Sequence, residues 1–123
     1  MYTLDTNAII YYLKDDPHAV AVLSDIFTEN TPLYISTITE IELFGFSKLS
    51  DHEVEQIEAI LETVAIIPVD SRIARTAGFI RRNYRINIAD SAIAATALFT
   101  GTALLTRNIR DFRKITNLSV RQI

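Results

Sequence analysis

The sequence predicts one α/β domain over residues 1–123, with a central parallel sheet of about five strands and helices on both faces. Short apolar runs alternate with longer stretches of helical periodicity, which is typical of parallel strands joined by helices. The length suits one domain, and 49% hydrophobic residues suffice for a sizeable core. Only three Gly and three Pro interrupt the chain, so we expect no flexible linker.

Five short runs rich in apolar or β-branched residues are predicted strands, and six stretches between them have the apolar spacing of helices. In chain order the strands are expected at 2–5, 33–36, 64–69, 103–106 and 118–122, and the helices at 7–14, 18–29, 38–48, 51–62, 71–84 and 88–100. In such sheets ligands bind beyond the carboxyl ends of the strands. Residues that directly follow a strand are therefore candidates for a functional site.

Composition excludes several classes of protein. The chain has no cysteine, which excludes disulfides, thiolate zinc sites and a cysteine nucleophile. No apolar run approaches the roughly 18 residues of a membrane span and no leader segment is recognisable, so we expect a cytoplasmic protein with no membrane contact.

Charge is distributed unevenly along the chain. Residues 1–61 contain 11 acidic and 2 basic side chains, whereas residues 62–123 contain 4 acidic and 10 basic ones. Nine of these basic residues fall in two clusters, "RIARTAGFIRRNYR" and "RNIRDFRK". Such clusters are either solvated helix surface or contacts to phosphate.

Asp5 lies at the junction of a predicted strand and helix, in the segment "YTLDTNAII". Aspartate at this position can cap the helix, because its carboxylate accepts a hydrogen bond from the first helical turn. The same position is also the carboxyl end of a strand, where ligands bind. Both interpretations are open from the local sequence.

Three further segments bring acidic residues toward the same sheet edge. Glu40 and Glu42 follow the second strand, and because they are about 200° apart on a helix, at most one faces inward. Asp90 lies three residues after the candidate cap Asn87, where it could instead favour the start of a helix. Asp111 follows the fourth strand and could be an ordinary turn residue.

Several carboxylates at one sheet edge repel one another, and burial raises their pKa values unless a cation is present. Carboxylate oxygens are ligands that suit Mg²⁺ or Mn²⁺. Such ions lower the pKa of bound water and neutralise charge on a leaving oxygen. The acidic edge therefore predicts phosphodiester hydrolysis.

Taken in order, the segments "LDTN", "TEIELFGF", "IADSAIAATAL" and "LLTRNIRDF" resemble the PIN domain, specifically the VapC-type toxin ribonucleases of prokaryotic toxin–antitoxin modules. The resemblance extends from Leu4 to Phe112. It implies a Mg²⁺- or Mn²⁺-dependent endoribonuclease that cleaves RNA with water as the nucleophile. The identity of the RNA is left open.

The resemblance also implies a role for each matching residue. The catalytic acidic residues would be Asp5, Glu42, Asp90 and Asp111, with Asp5 and Asp90 as metal ligands. Polar residues that orient the carboxylates or the water would be Thr6, Asn7, Thr106 and Asn108. The preference for Glu42 over Glu40 comes from the family pattern, since periodicity does not decide between them.

Two surfaces are predicted to bind partners. Positive charge in the second half of the chain predicts RNA contacts at Arg107 and Arg110. The two helices after the second predicted strand carry more large apolar residues than one buried face needs, among them Phe44 and Phe46, which predicts a groove for an amphipathic partner segment. The resemblance implies that a cognate antitoxin occupies this groove and that the chain forms a homodimer.

Two other functions are consistent with an aspartate after the first strand. A haloacid-type phosphatase would need a second aspartate two residues later, where this chain has Asn7. A non-catalytic binding module would use the acidic edge only to hold an ion or a partner. The presence of all four acidic matches argues against that module.

Overall fold

A five-stranded parallel sheet forms the centre of the computed structural model, which describes residues 1–123. The strands are β1 (Tyr2–Leu4), β2 (Leu33–Ser36), β3 (Ala65–Ile67), β4 (Ala103–Thr106) and β5 (Val120–Gln122). The helices are α1 (Thr6–Leu13), α2 (Pro17–Thr28), α3 (Thr37–Phe44), α4 (Asp51–Leu61), α5 (Ser71–Tyr84), α6 (Ile88–Thr100) and α7 (Ile109–Phe112). The predicted fold class is confirmed.

The sheet separates two hydrophobic cores. Successive side chains of a strand point to opposite faces, and accordingly Leu104 belongs to one core and Leu105 to the other. The Leu105 core includes buried residues of α1, α2, α3 and α4, and the Leu104 core includes those of α5, α6 and α7. Both faces are therefore covered by helices, which is why the strands read as apolar runs rather than alternating ones.

The strand order is β3-β2-β1-β4-β5, with every neighbouring pair parallel. From β1 the chain proceeds to β2 and β3 on one side, then crosses to β4 and β5 on the other. The direction of winding thus changes between β1 and β4. Open α/β sheets bind ligands at the carboxyl end of this switch point.

Side-chain caps fix the starts of the two helices that enter this region. The Ser36 hydroxyl accepts a hydrogen bond from the Ile38 N–H at 3.1 Å at the start of α3. The Asn87 side-chain oxygen accepts one from the Asp90 N–H at 2.8 Å at the start of α6. Each cap satisfies an N–H group that has no partner within its helix, so the positions of Glu42 and Asp90 are defined locally.

Several predicted boundaries were wrong for identifiable reasons. The helix predicted at 38–48 ends at Phe44 and is followed by Gly45 as its C-cap, a position that suits glycine because a Cβ there would lie 2.6 Å from the Ile41 carbonyl oxygen. The strand predicted at 64–69 ends before Pro68, which has no N–H to donate to a ladder. The short helix α7 was not predicted, and the last strand begins at Val120 rather than at 118.

No helix combines the length and the hydropathy that a bilayer crossing requires.

Candidate active site

A cavity of about 350 Å³ opens at the carboxyl edge of the sheet, at the switch point beside β1. Its walls come from the starts of α1 and α6 and from the end of α3. The lining residues are Asp5, Thr6, Asn7, Ile10, Glu42, Gly45, Phe46 and Asp90. Three of the four predicted acidic residues therefore share one cavity.

Asp5 is held at the floor of this acidic cavity. The residue is only 2% exposed, and its backbone N–H donates to the Leu105 carbonyl at 3.0 Å. Its Oδ2 accepts a hydrogen bond from the Thr106 hydroxyl at 2.7 Å. Although Asp5 precedes α1, its side chain makes no capping hydrogen bond to that helix. The carboxylate is thus fixed by the neighbouring strand β4, and the capping interpretation is not supported.

Glu42 reaches the acidic cavity from α3. The Thr6 hydroxyl donates to Glu42 Oε1 at 2.6 Å and also lies 3.2 Å from the Thr39 hydroxyl oxygen. Glu40 is not among the cavity residues. The structure therefore directs Glu42 toward the cavity, as the family resemblance implied and as helical periodicity alone could not decide.

Asp90 is positioned by the residue that caps its own helix. Its N–H donates to the Asn87 side-chain oxygen, and the Asn87 amide donates back to Asp90 Oδ2 at 3.1 Å. These two hydrogen bonds show that Asp90 helps to start its helix, as one of the two interpretations of the sequence predicted. They also aim the carboxylate, because Asp90 lines the cavity that holds Asp5. The two interpretations of Asp90 are therefore compatible.

Asp111 lies outside the lining of the acidic cavity and is connected to it through a polar chain. The Asn108 amide donates to Asp111 Oδ2 at 3.1 Å, and the Asn108 N–H donates to the Thr106 hydroxyl oxygen at 2.9 Å. Lys114 forms an ion pair with the Asp111 carboxylate at 3.8 Å. Thr106 and Asn108 thus link Asp111 to Asp5, which gives both polar residues a geometric reason to be present.

Burial and mutual repulsion perturb two of the carboxylates. Burial raises the pKa of Asp5 to about 6, with the hydrogen bond from Thr106 opposing the rise and the negative charges of Asp90 and Glu42 adding to it. Burial also raises the pKa of Asp90, and Glu42 and Asp111 add to that rise. Carboxylates that are difficult to ionise together favour a bound cation.

The chemistry of these donors fits a divalent cation of the magnesium type. No three acidic or histidine side chains are arranged as a complete ligand set for one ion. Mg²⁺ does not require one, since it is usually held by one or two carboxylates and completes its shell with water and substrate phosphate. Asp5 and Asp90, which line the same cavity, supply that number of carboxylates.

Arg107, predicted from sequence to contact RNA, is engaged within the chain. Its guanidinium forms an ion pair with Asp16 at 2.8 Å, lies 3.8 Å from the centre of the Tyr11 ring, and donates to the Ile123 carbonyl at 3.2 Å. These contacts join the α1–α2 connection to the end of β4. The structure thus gives Arg107 an internal role, whereas Arg110 is exposed on α7.

We expect Arg107→Gln to lower the stability of the fold in a pH-dependent way. The hydrogen bond from Arg107 holds the pKa of Asp16 below its ordinary value of 3.8. Because the folded pKa is lowered, the stabilisation is complete above 3.8 and is lost as the pH falls through the folded value. Urea midpoints of the wild type and the variant should therefore differ more at neutral pH than in acid, where only the contacts of Arg107 with Tyr11 and Ile123 still separate them. Equal midpoints at every pH would contradict this role for Arg107.

Phe44 and Phe46 are both exposed but differ in their surroundings. They are 40% and 50% exposed. Phe46 lines the acidic cavity and also a neighbouring apolar cavity of about 390 Å³, formed by α1, α4 and the segment between α3 and α4. Phe44 lines neither cavity. An apolar cavity thus lies in the region of the predicted groove, and it is lined by Phe46 and not by Phe44.

Two residues that hold the predicted residues Arg107 and Thr6 in position were not identified from the sequence pattern. Asp16 was not considered, because its partner Arg107 is 91 residues away along the chain. Thr39 was also missed, although its position three residues before Glu42 on a helix places both on one side. Helix spacing from Glu42 was therefore the available signal for Thr39.

The fold and the acidic cavity define a protein of the PIN class. The PIN domain family model matches residues 2–118, and the chain belongs to this family. Ribonuclease VapC1 of Haemophilus influenzae is 32% identical over 127 residues, covering 96% of this chain and 94% of that protein. Ribonuclease VapC19 of Mycobacterium tuberculosis is 30% identical over 117 residues, covering 91% and 92%.

Solved structures give the same result. VapBC2 from Rickettsia felis, bound to a DNA fragment from its promoter, matches with a TM-score of 0.83 and 26% identity over 98% of this chain and 97% of that one. A toxin–antitoxin complex from Klebsiella pneumoniae matches with a TM-score of 0.81 and 28% identity over the whole of both chains. The resemblance to VapC-type toxin ribonucleases predicted from the sequence is confirmed.

Proposed function

We propose that this chain is the ribonuclease toxin of a type II toxin–antitoxin pair and that it hydrolyses RNA phosphodiester bonds with a divalent metal ion. The observation that carries the proposal is the convergence of Asp5, Glu42 and Asp90 on one cavity at the switch point of a PIN fold. Relatives named as ribonucleases over almost the whole chain support the same activity.

Each residue of the acidic cavity has a proposed role, which its position supports. Asp5 and Asp90 would hold Mg²⁺ or Mn²⁺, because both carboxylates line the cavity and burial disfavours their charges without a cation. Thr106 orients Asp5, and Asn87 orients Asp90. Glu42, whose Oε1 accepts a hydrogen bond from the Thr6 hydroxyl, would accept a proton from the attacking water. Asn7 lines the cavity and can bind the substrate or water.

A bound ion of this kind lowers the pKa of water and neutralises charge on the leaving oxygen. Attack of water on the phosphorus breaks the bond to the 3′ oxygen, which takes up a proton. The products are therefore a 5′-phosphate and a 3′-hydroxyl end. Asp111, which acts on the site through Asn108 and Thr106, helps to position Asp5.

Neither alternative function is favoured. This chain lacks the second aspartate that a haloacid-type phosphatase needs, because the residue at that position is Asn7, which lines the cavity. A non-catalytic module would hold an ion with the same two carboxylates, and the similarity to named ribonucleases over almost the whole chain favours catalysis over it.

Cleavage and metal binding can be tested on the purified chain. Mixed-sequence RNA should be cleaved in Mg²⁺ or Mn²⁺ and left intact in EDTA, with 5′-phosphate ends on the fragments. The same ions should raise the melting temperature, because an ion that binds only the folded chain stabilises it by about 2.7 kcal/mol at a hundred times its dissociation constant. RNA that survives both metals, together with an unchanged melting temperature, would refute the proposal.

The apolar cavity beside the acidic one is the proposed antitoxin site. It is lined by Ile10, Leu13, Leu43, Leu49 and Ile57 together with Phe46 and polar neighbours. Neighbours of the VapBC class are complexes of a toxin with an antitoxin. An amphipathic antitoxin segment in this cavity would lie next to the catalytic carboxylates, because Phe46 lines both cavities. We also propose that the toxin itself is a homodimer.

Replacing Phe46 with glutamate should weaken antitoxin binding more than the same change at Phe44. Phe46 forms a wall of the apolar cavity, where a charge would be desolvated by the partner, whereas Phe44 lies outside both cavities. Affinity for the cognate antitoxin, measured by titration calorimetry, should fall by roughly a hundredfold for Phe46→Glu. The melting temperatures of the two free variants serve as the control for folding, and equal losses of affinity would count against this cavity.

A further inference from the structure

A third concave surface lies at the carboxyl end of α5. It is a shallow depression of about 590 Å³ lined by Arg81, Arg82 and Arg85 with Gly78, Ile86 and Asn87. All three arginines are exposed, and neither of the two ion pairs of the chain involves them. No acidic residue lines the depression. Three uncompensated positive charges around one hollow match an anion such as a phosphodiester.

This arginine depression adjoins the acidic cavity. Asn87 lines the depression and donates a hydrogen bond to Asp90, which lines the cavity. The Arg81 guanidinium donates to the Ile86 carbonyl at 3.3 Å, which fixes it at the rim. The guanidinium groups of Arg82 and Arg85 donate no hydrogen bond within the chain, although the Arg85 backbone N–H donates to the Arg81 carbonyl at 3.0 Å. A strand bound at the carboxylates would therefore meet the arginines immediately beyond the Asn87–Asp90 pair.

An exposed aromatic ring stands beside the same arginines. Phe79 is 52% exposed, and the Arg82 guanidinium lies 5.8 Å from the centre of its ring. Bases of single-stranded RNA stack on aromatic rings and on arginine planes, whereas the bases of a duplex are not available for stacking. A ring next to unpaired arginines therefore favours a single strand over a helix.

We propose that the arginine depression binds a phosphate of single-stranded RNA next to the bond that is cleaved, with a neighbouring base stacked on Phe79. This inference rests on the proposed ribonuclease function and adds a substrate site to it. It assigns the principal positive contact to Arg82 and Arg85, rather than to Arg107, which is paired with Asp16. Arg81 contributes charge while it is held by the Ile86 carbonyl.

Binding can be measured apart from cleavage. The probe is a fluorescein-labelled, mixed-sequence single-stranded RNA of about 12 nucleotides, titrated with the chain in EDTA and followed by anisotropy at several salt concentrations. The double variant Arg82→Gln, Arg85→Gln should bind at least about tenfold more weakly, and its salt slope should fall by about 1.4, because each phosphate contact to a single strand contributes about 0.7.

Two further variants distinguish binding at the arginine depression from attraction by the overall positive charge of α5. The control pair Arg72→Gln, Arg75→Gln removes the same charge from the first half of α5, away from the depression, and should bind within about twofold of wild type. Phe79→Ser should bind several-fold more weakly at an unchanged salt slope, because stacking releases no counterions. Melting temperatures of all variants verify that they fold.

Equal losses in the two arginine pairs would overturn the proposal, because only net charge would then matter. It would also be overturned if Arg82→Gln, Arg85→Gln changed the sedimentation of the chain and left RNA affinity intact, since the depression would then be a contact between copies. If the wild type binds and cleaves RNA and the variant Arg82→Gln, Arg85→Gln binds RNA equally well, the inference about the depression is refuted and the proposed ribonuclease function is not. Wild-type chain that neither binds nor cleaves RNA would refute the proposed function itself.

Discussion

Asp5→Asn should abolish RNA cleavage and at the same time make the metal-free protein more stable. Asparagine keeps an oxygen for the Thr106 hydroxyl but removes the buried negative charge. In the folded chain the pKa of Asp5 is about 6, against 3.8 as its ordinary value. That difference corresponds to roughly 3 kcal/mol of unfavourable free energy at neutral pH.

The sign of the effect follows from the direction of the pKa change. Because the pKa of Asp5 is raised by folding, the folded chain loses stability as the pH rises from 3.8 through about 6, and the penalty is complete above that value. The variant should therefore unfold at a melting temperature roughly 10 °C higher at neutral pH, with no difference below about pH 4. Mg²⁺ should no longer shift the melting temperature of the variant.

Asp70→Asn is the matched control for this experiment. Asp70 caps α5 by accepting a hydrogen bond from the Ile73 N–H at 2.9 Å, and asparagine caps a helix about as well. This variant should keep full activity, its metal-induced shift and its original stability. If Asp5→Asn cleaved RNA at the wild-type rate, or unfolded more easily than wild type at neutral pH, the role given to Asp5 would be wrong.

Thr106→Val should impair both stability and catalysis, whereas Thr106→Ser should preserve them. The fully buried Thr106 hydroxyl donates to Asp5 and accepts from the Asn108 N–H, and valine has the same shape without the oxygen. The buried Asp5 carboxylate and the partly buried Asn108 N–H then lose a partner, which costs about 2–3 kcal/mol at neutral pH. Cleavage should fall by about 10–100-fold, as expected when a residue that orients a metal ligand is removed.

The pH dependence distinguishes this effect from a simple packing defect. The hydrogen bond from Thr106 lowers the pKa of Asp5, so its loss raises that pKa above about 6. The stability difference between Thr106→Val and wild type should be largest above pH 6 and should narrow as Asp5 becomes protonated in both. A difference that stays constant across this range would indicate packing alone.

The order and spacing of residues in the sequence were sufficient to predict that the cavity lies at the carboxyl edge of the sheet and to name most of the acidic residues that line it. Asp5 and Asp90 could be placed because each follows a recognisable boundary, the end of β1 and the cap at Asn87. Glu42 could not be separated from Glu40 by periodicity, since the choice depends on which hydroxyl, here that of Thr6, reaches it in three dimensions.

Contacts between residues that are far apart in the sequence could not be predicted from residue spacing. The sequence shows that Arg107 carries a positive charge. Its partner Asp16 is 91 residues away along the chain, and only folding brings the two side chains together. Similarly, only the folded chain shows that a side chain at position 45 would clash with the Ile41 carbonyl oxygen. Such features depend on tertiary geometry, which residue spacing alone does not specify.

The central position of β1 has a consequence for the order in which the protein is made. Asp5 leaves the ribosome first, yet the hydroxyl that fixes its carboxylate belongs to Thr106, 101 residues later. At roughly 5–20 residues per second, about 5–20 s of synthesis separate the two. During that interval β1 has β2 as a neighbour but lacks β4, on which the floor of the acidic cavity depends. The acidic cavity can therefore form only after β4 has been synthesised, and fragments that end before β4 should bind neither metal nor substrate.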